Sequence, residues 1–348
     1  SLARLAPVGT LGDVDAAADL LLEHRKGRIV VVGDFDADGA TSTALVLRCL
    51  RALGFSNTDF LVPNRFDYGY GLRPEIVAVA AQSAPELIVT VDNGISSVAG
   101  VARARELGIR VLVTDHHLPP EVLPAADDIV NPNAQDDESP SKFLAGVGVA
   151  FCVMVALARR VAGDNPELAR LPSRFLDLVA LGTVADVVPL EHIIRILVLA
   201  GFQRIRAGAA VPGIRALIDV AGRRHGDCVA SDLGFAVGPR LNAAGRLEDM
   251  AIGIRCLLTD DPDEAARLAL ELDTINRARR EVEADMQDSA LAAVAAIEDD
   301  AGLPACVCLH QARVARSPAC IYAMYSRPWT VRRLASSTSL VVTPWPRV

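Results

Sequence analysis

The run Ile29-Val30-Val31-Val32-Gly33-Asp34-Phe35-Asp36-Ala37-Asp38-Gly39 constrains this chain more than any other stretch. An apolar, β-branched segment reads as a buried strand, and this one breaks at Gly33. Three carboxylates, Asp34, Asp36 and Asp38, follow within five residues. Anions held that close repel one another unless cations lie between them. The stretch therefore predicts a metal site at the carboxyl end of a parallel strand, where open α/β sheets keep their ligands. A solvated acidic turn is the competing reading of any single such motif. The pattern recurs, however. The apolar segment 86–91 runs into Asp92-Asn93-Gly94, the segment 109–114 into Asp115-His116-His117, and Ile129-Val130 into Asn131-Pro132-Asn133. A further strand is expected over 59–62. Helical spacing fills the intervals at 39–53, 74–81 and 97–106, after a first helix over 13–26. Strands alternating with helices predict an α/β fold with a parallel, doubly wound sheet. Such a sheet puts its carboxyl ends on one edge, so Asp36, Asp38, Asp92, Asp115, His116 and His117 are expected to converge there.

Composition narrows the class. A length of 348 residues at 51% hydrophobic content accommodates two domains with substantial cores. No apolar run is long and clean enough to span a bilayer, and no signal peptide is recognisable at the start. The chain opens on Ser1 rather than Met, as a fragment or trimmed chain would. The seven cysteines lack zinc-type pairing and read as buried thiols of a reducing compartment, hence the cytoplasm. A net charge of -8 argues against a general nucleic-acid binder, although an acidic metal cluster and a local Arg groove are compatible. Lys26 and Lys142 are the only lysines, so basic charge is almost all Arg, the better side chain for bidentate phosphate contact. A bias in genomic base composition explains the same imbalance.

After a polar loop at 134–142, helices are expected over 147–163 and 173–182. The second contains Asp177 and leads into Gly182-Thr183-Val184-Ala185-Asp186. Asp186 sits in an apolar run, and buried carboxylates are normally paired or bound to metal, which makes it a further ligand candidate. A helix over 193–207 reads as a bridge between two domains, the second beginning near Pro212. Within GFAVGPRLNAAGRLED (234–249), Arg240, Asn242 and Arg246 lie among Gly and Ala, where backbone approaches a ligand closely and guanidiniums reach phosphate; a tight turn with exposed arginines is the plainer alternative. The charged segment 262–297 reads as a solvated surface helix. From residue 301 onward there is no acid among the 43 of the chain, yet six Arg and both Trp fall there.

At this point the residues resemble a known family. GDFDADG (33–39), DNG (92–94), DHH (115–117) and GTVAD (182–186) are similar to the four motifs of the DHH phosphoesterase superfamily. The stretches VPNRFDYGYGL (62–72), GPRLNAAGR (238–246) and LDTINRARREVE (272–283) resemble its RecJ branch of bacterial single-strand-specific 5′→3′ DNA exonucleases. The likeness covers roughly residues 14–300. It implies two divalent ions, usually Mn²⁺ with Mg²⁺ as the alternative, held by Asp36, Asp38, Asp92, His116 and Asp186, with Asp92 bridging and Asp34 close enough to help. Some family members have a His where this chain has Val32, so Asp34 or water is expected to complete the first ion's shell. The resemblance makes His117 and Asp115 catalytic and assigns DNA contact to Arg65, Arg240, Asn242 and Arg246. It implies DNA repair and recombination, single-stranded DNA as substrate, single-strand-binding protein and a helicase as partners, and no membrane. It divides the chain into a catalytic domain (1–190), a connecting helix (191–211), a smaller, incomplete α/β substrate-binding domain (212–303) and an atypical tail (304–348). The family continues beyond the position of Leu303 with a His-x-Gly-Val-Val-Gly-Ile helix start that is missing here, so the tail is expected to be read out of frame. Resequencing the gene around codon 303 tests that. The alternatives are a DHH oligonucleotide or cyclic-dinucleotide phosphodiesterase, whose usual Gly-Gly-Gly-His run is absent, a non-catalytic replication scaffold, and an inactive truncated relative.

Overall fold

The structure is a computed structural model that describes residues 10–62, 69–135, 137–295, 306–311, 320–324 and 338–340. The chain divides into two compact units, 1–274 and 275–348. The first is built on a five-stranded sheet of order β2-β1-β3-β4-β5, with β1 Ile29–Gly33, β2 Thr58–Leu61, β3 Leu87–Val91, β4 Arg110–Thr114 and β5 Asp128–Val130. Every neighbouring pair is parallel. The side-chain alternation of a strand divides its apolar residues between two cores. Ile29, Val31, Leu87, Val89, Val91 and Leu112 face the larger core, with α1 (Val14–Glu23), α2 (Ala37–Ala52) and α5 (Gly146–Ala162). Val30, Val32, Ile88, Val111 and Val113 face the smaller one, under α3 (Pro74–Ala81) and α4 (Val98–Glu106). Helices on both faces make the sheet doubly wound, as expected from the alternating pattern.

Register is what carries the site. Gly33 pairs with Val91, Val91 with Thr114 and Thr114 with Val130. The next residue of each strand is therefore level with the next residue of its neighbour, and these are Asp34, Asp92, Asp115 and Asn131. The amides of Asp92 and Asp115 extend the ladder by donating to Thr114 O and Val130 O at 3.0 and 3.1 Å.

Beyond the sheet the first unit is helical. A 3₁₀ turn at Leu171–Phe175 precedes α6 (Leu176–Ala185), so this helix runs to Asp186 rather than ending at 182. Asp177 is buried in its first turn and accepts from Val211 N at 2.7 Å, with Arg204 Nε 3.5 Å away. The helix α7 (His192–Arg206), expected to connect two domains, lies tight along α6 and buries Ile194, Leu197, Val198, Phe202 and Ile205 in the larger core. A Cβ on its Gly201 would stand 2.3 Å from Leu176 O, so nothing larger permits that crossing. Then come α8 (Pro212–Val220), a π-helical turn at Leu233–Val237, α9 (Gly238–Leu247), α10 (Ala251–Leu258) and α11 (Pro262–Ala295).

The 238–246 segment lies in a helix rather than the tight turn weighed as the plainer alternative, with Leu241, Ala243 and Ala244 buried. One expectation is corrected here. The first turns of α11 are not simply solvated: Ala265, Leu268, Ala269 and Leu272 are in the core at helical spacing, a stripe that its dense charges disguise in the sequence. The second unit holds the end of α11 and an antiparallel sheet of order β7-β6-β8, formed by β6 Cys306–Gln311, β7 Cys320–Met324 and β8 Thr338–Leu340. Most of the expected atypical tail lies outside the described residues. Among the described residues no helix is long and apolar enough to cross a membrane.

Candidate metal centre and active site

The β1–α2 turn is folded tightly. A Cβ on Gly39 would stand 2.5 Å from Asp34 O, so the turn closes only because residue 39 has none. Asp36 is the N-cap of α2 and accepts from Gly39 N at 3.0 Å, the usual service of a short carboxylate to an unpaired first-turn amide. Asp38, in that first turn, is almost fully buried and reaches a different helix. It accepts from Gly146 N at 2.6 Å and Val147 N at 3.0 Å, the first amides of α5, where the positive end of the helix favours an anion.

On the neighbouring strands, Asp92 is buried at φ 61°, a left-handed conformation uncommon outside glycine. Asp115 follows β4 but serves a different purpose. Its Oδ1 accepts from His116 N at 2.7 Å, His117 N at 3.1 Å and His117 Nδ1 at 2.7 Å, and its Oδ2 from Ile95 N at 2.9 Å. A carboxylate so thoroughly engaged orients the two histidines and has little left for a cation. Burial pushes its carboxyl upward, but the His117 hydrogen bond and charge, with the amides, outweigh that and hold it below the ordinary carboxylate range. Below the histidines, Asn131 Nδ2 donates to His117 O at 2.9 Å and Asn133 Nδ2 to His116 O at 2.6 Å.

The remaining groups meet at one place. His116 Nε2 lies 3.1 Å from Asp92 Oδ1 and 3.7 Å from Asp186 Oδ2. Three overlapping sets, Asp34/Asp36/Asp92, Asp38/His116/Asp186 and Asp92/His116/His117, each bring one donor atom per residue within 4.8 Å of the others. Burial, then the Asp36 charge, lifts Asp34 to about 7. Burial, then the Asp186 and Asp36 charges, lifts Asp38 well above the usual range, and burial with Asp38 and Asp36 does the same to Asp92. Asp186 rises to about 6 through burial and Asp36. His116 is pushed down by burial and by His117, which leaves its ring neutral with a lone pair to give. His117 is pushed up by its hydrogen bond to Asp115. Asp34 Oδ1, Asp92 Oδ1 and His116 Nε2 are buried without a hydrogen-bond partner. Buried polar atoms are nearly always satisfied, so a cluster of orphaned lone-pair atoms, each able to bind a cation, fits bound divalent metal. A mixed carboxylate and imidazole set is a donor set for a divalent cation.

Gly146 is part of this cradle, because a Cβ there would stand 2.6 Å from Asp92 Oδ1. Gly146→Ala is expected to weaken Mn²⁺ binding by about tenfold or more, read by equilibrium dialysis, with the helical circular-dichroism signal retained.

The basic residues fare differently. Arg65 lies outside the described residues. Arg240 is expected at DNA phosphate, but the structure buries it: Nη2 pairs with Asp273 Oδ1 at 2.7 Å and Nη1 donates to Ala236 O at 2.6 Å. The helical turn and the acid of α11, distant in sequence, draw it inward. Asn242 accepts from Ala37 N at 2.7 Å, so its carbonyl is committed to the metal loop. Arg246 is exposed beside Gly245, whose Cβ would stand 1.8 Å from Phe35 O. The close approach licensed by glycine is made here by the chain's own metal loop. Reading the residues in order missed Tyr70, Asn131, Asn133 and Gly146. Tyr70 Oη lies 3.4 Å from His117 Nδ1, and its ring meets those of Phe35 and His117 edge-on, both at 6.0 Å. The signal for Asn131 and Asn133 was their place directly after β5, level with the strand-end acids. Tyr70 offered only its position in the 62–72 loop.

A doubly wound parallel sheet with acids and a histidine pair meeting at its carboxyl edge defines a class, and the chain matches the DHH family, N-terminal domain, over residues 28–183. It is 56% identical over 302 residues to the single-stranded-DNA-specific exonuclease RecJ of Escherichia coli (strain K12), covering 84% of this chain and 52% of that one. It is 39% identical over 284 residues to RecJ of Thermus thermophilus, covering 81% and 40%. A crystal structure of exonuclease RecJ bound to manganese aligns with a TM-score of 0.73 at 37% identity, covering 81% of this chain and 70% of that one. A crystal structure of Thermus thermophilus RecJ in complex with Mg²⁺ aligns at 0.60 and 33% identity, covering 82% and 37%. The chain belongs to the RecJ family. It spans about half the length of the curated relatives it matches.

Proposed function

We propose that this chain is a divalent-metal-dependent hydrolase that cuts phosphodiester bonds of single-stranded DNA from the 5′ end. The observation that carries the reading is the convergence of Asp34, Asp36, Asp38, Asp92, His116 and Asp186, with buried donor atoms left without partners. The names of the similar proteins supply the substrate. Asp34, Asp36, Asp38, Asp92, His116 and Asp186 would hold the divalent ions, Mn²⁺ in this reading. When bound, such ions supply positive charge to phosphate oxygens and lower the pKa of water. His117, held at Nδ1 by Asp115, offers a ring N–H to the scissile phosphate, and Asp115 is its positioning residue. Arg246 and Arg65 are the phosphate-contacting cations, while Arg240 supports the fold. Exposed Tyr70 and Phe235 offer faces for stacking unpaired bases, which every base accepts whatever its sequence.

The proposed division remains a catalytic segment at 1–190, a connection at 191–211, a substrate-holding segment at 212–303 and the tail at 304–348. Work in the cytoplasm in DNA repair and recombination, beside single-strand-binding protein and a helicase, belongs to the same proposal.

The test is digestion of 5′-labelled single strands and matched duplexes by the 348-residue chain with Mn²⁺ and with chelator. Labelled mononucleotide from single strands with Mn²⁺ alone is the expected result. Equal digestion of duplex overturns the substrate class. Mn²⁺ binding without any cleavage identifies the inactive-chain alternative.

A further inference from the structure

The hydrogen bond from Ala37 N to Asn242 Oδ1, at 2.7 Å, joins residues 205 positions apart. Ala37 is the first residue of α2, and its N–H is one of the amides that a helix cannot satisfy for itself. Asp36 satisfies Gly39 N; the partner of Ala37 N comes from α9. The same helix α9 presses on the loop just before α2, since a Cβ on Gly245 would collide with Phe35 O. The far end of α2 is gripped by the same part of the chain. Arg48 Nε donates to Leu257 O at 2.9 Å, Nη2 to Thr259 O at 3.1 Å, and Nη1 to Asp260 at 2.8 Å. The helix that carries Asp36 at its cap and Asp38 in its first turn is thus clamped at both ends by residues 242–260.

We infer that Asn242 is a positioning residue for the metal loop: its side-chain carbonyl fixes the Ala37 amide, and through it the geometry of Asp36 and Asp38. This rests on the metal reading given above. It departs from the expectation that the residue touches DNA. The two roles use opposite ends of the amide group. Positioning needs the acceptor Oδ1. Contact with a DNA phosphate needs the Nδ2 donor.

The substitutions separate them. Asn242→Asp keeps an acceptor, loses the donor and brings a charge that repels phosphate. Asn242→Ala and Asn242→Leu lose both, and Leu keeps the volume if Ala leaves too large a void to fold. Mn²⁺ binding to the full chain is measured by the electron paramagnetic resonance of free Mn²⁺, without DNA. Asn242→Ala and Asn242→Leu are expected to bind about 10–100-fold more weakly, the usual cost of removing a group that orients metal ligands. Asn242→Asp is expected to bind at least as tightly as the unsubstituted chain. At saturating Mn²⁺, the KM of Asn242→Ala for single-stranded DNA is expected to be unchanged. Unaltered Mn²⁺ affinity in Asn242→Ala and Asn242→Leu overturns the inference, as does a raised KM for DNA that persists at saturating Mn²⁺. Failure of the unsubstituted chain to bind Mn²⁺ would be a different result, since it removes the metal reading itself.

Discussion

Asp92→Asn and His116→Ala are each expected to lower Mn²⁺-dependent digestion of single strands by about 10³-fold or more, the scale of losing a preorganised electrostatic group from a reacting centre. Asp92 sits in two of the three candidate ligand sets, and His116 Nε2 lies between Asp92 and Asp186. Removing either leaves the other acids facing one another with one fewer cation-binding atom. Neither change should unfold the chain. Asp92→Asn removes a buried charge whose protonated form the metal-free fold already favours. Isothermal titration with Mn²⁺ checks the cause, and loss of cleavage with unchanged Mn²⁺ binding would refute it. Asp115→Asn should behave differently. It leaves the cation-binding atoms in place but removes the negative charge that steadies His117 and turns one acceptor oxygen of the carboxylate into a donor facing N–H groups, so cleavage falls while Mn²⁺ binding persists.

The second large effect is an inverted pH dependence of stability in the metal-free chain. Asp34 rises from 3.8 to about 7 on folding and Asp186 to about 6. Between those values and 3.8 the folded chain keeps protons that the unfolded chain releases. Stability from these groups is therefore fully present below 3.8, is lost as pH rises through 6 and 7, and changes no further above that. Going from pH 5.5 to 7.5 should cost about 2–3 kcal/mol from these two groups, or a fall in Tm on the order of 5 °C. Mn²⁺ should abolish or reverse the trend, because ions replace the protons and bind better as pH rises. Thermal unfolding with chelator and with Mn²⁺ at both pH values checks this. Asp34→Asn should flatten the metal-free profile, and an Asp34→Asn profile as steep as that of the unsubstituted chain would refute the assignment.

Much of the site is legible in the order of residues alone. Alternation of apolar strands with helices implies a parallel sheet, and strand-end acids on a parallel sheet must share an edge. What is not legible depends on partners far along the chain. Arg240 looks like a free cation until Asp273 is brought beside it, and Asn242 looks like a ligand contact until Ala37 N is found against it. Asp115 reads as one more acid of the cluster, yet three amides and a ring nitrogen occupy it.

The class of fold, the edge on which chemistry occurs and the residue types available there follow from residue order, because strand periodicity and the placement of acids after strands are local properties. Which of those groups face a common point and which serve the fold emerges from long-range packing. Register levels Asp34, Asp92, Asp115 and Asn131, while burial and long-range hydrogen bonds sort them into cation-binding atoms and supports. Such contacts join residues up to 212 positions apart, and no local pattern of residues encodes a pairing across that distance.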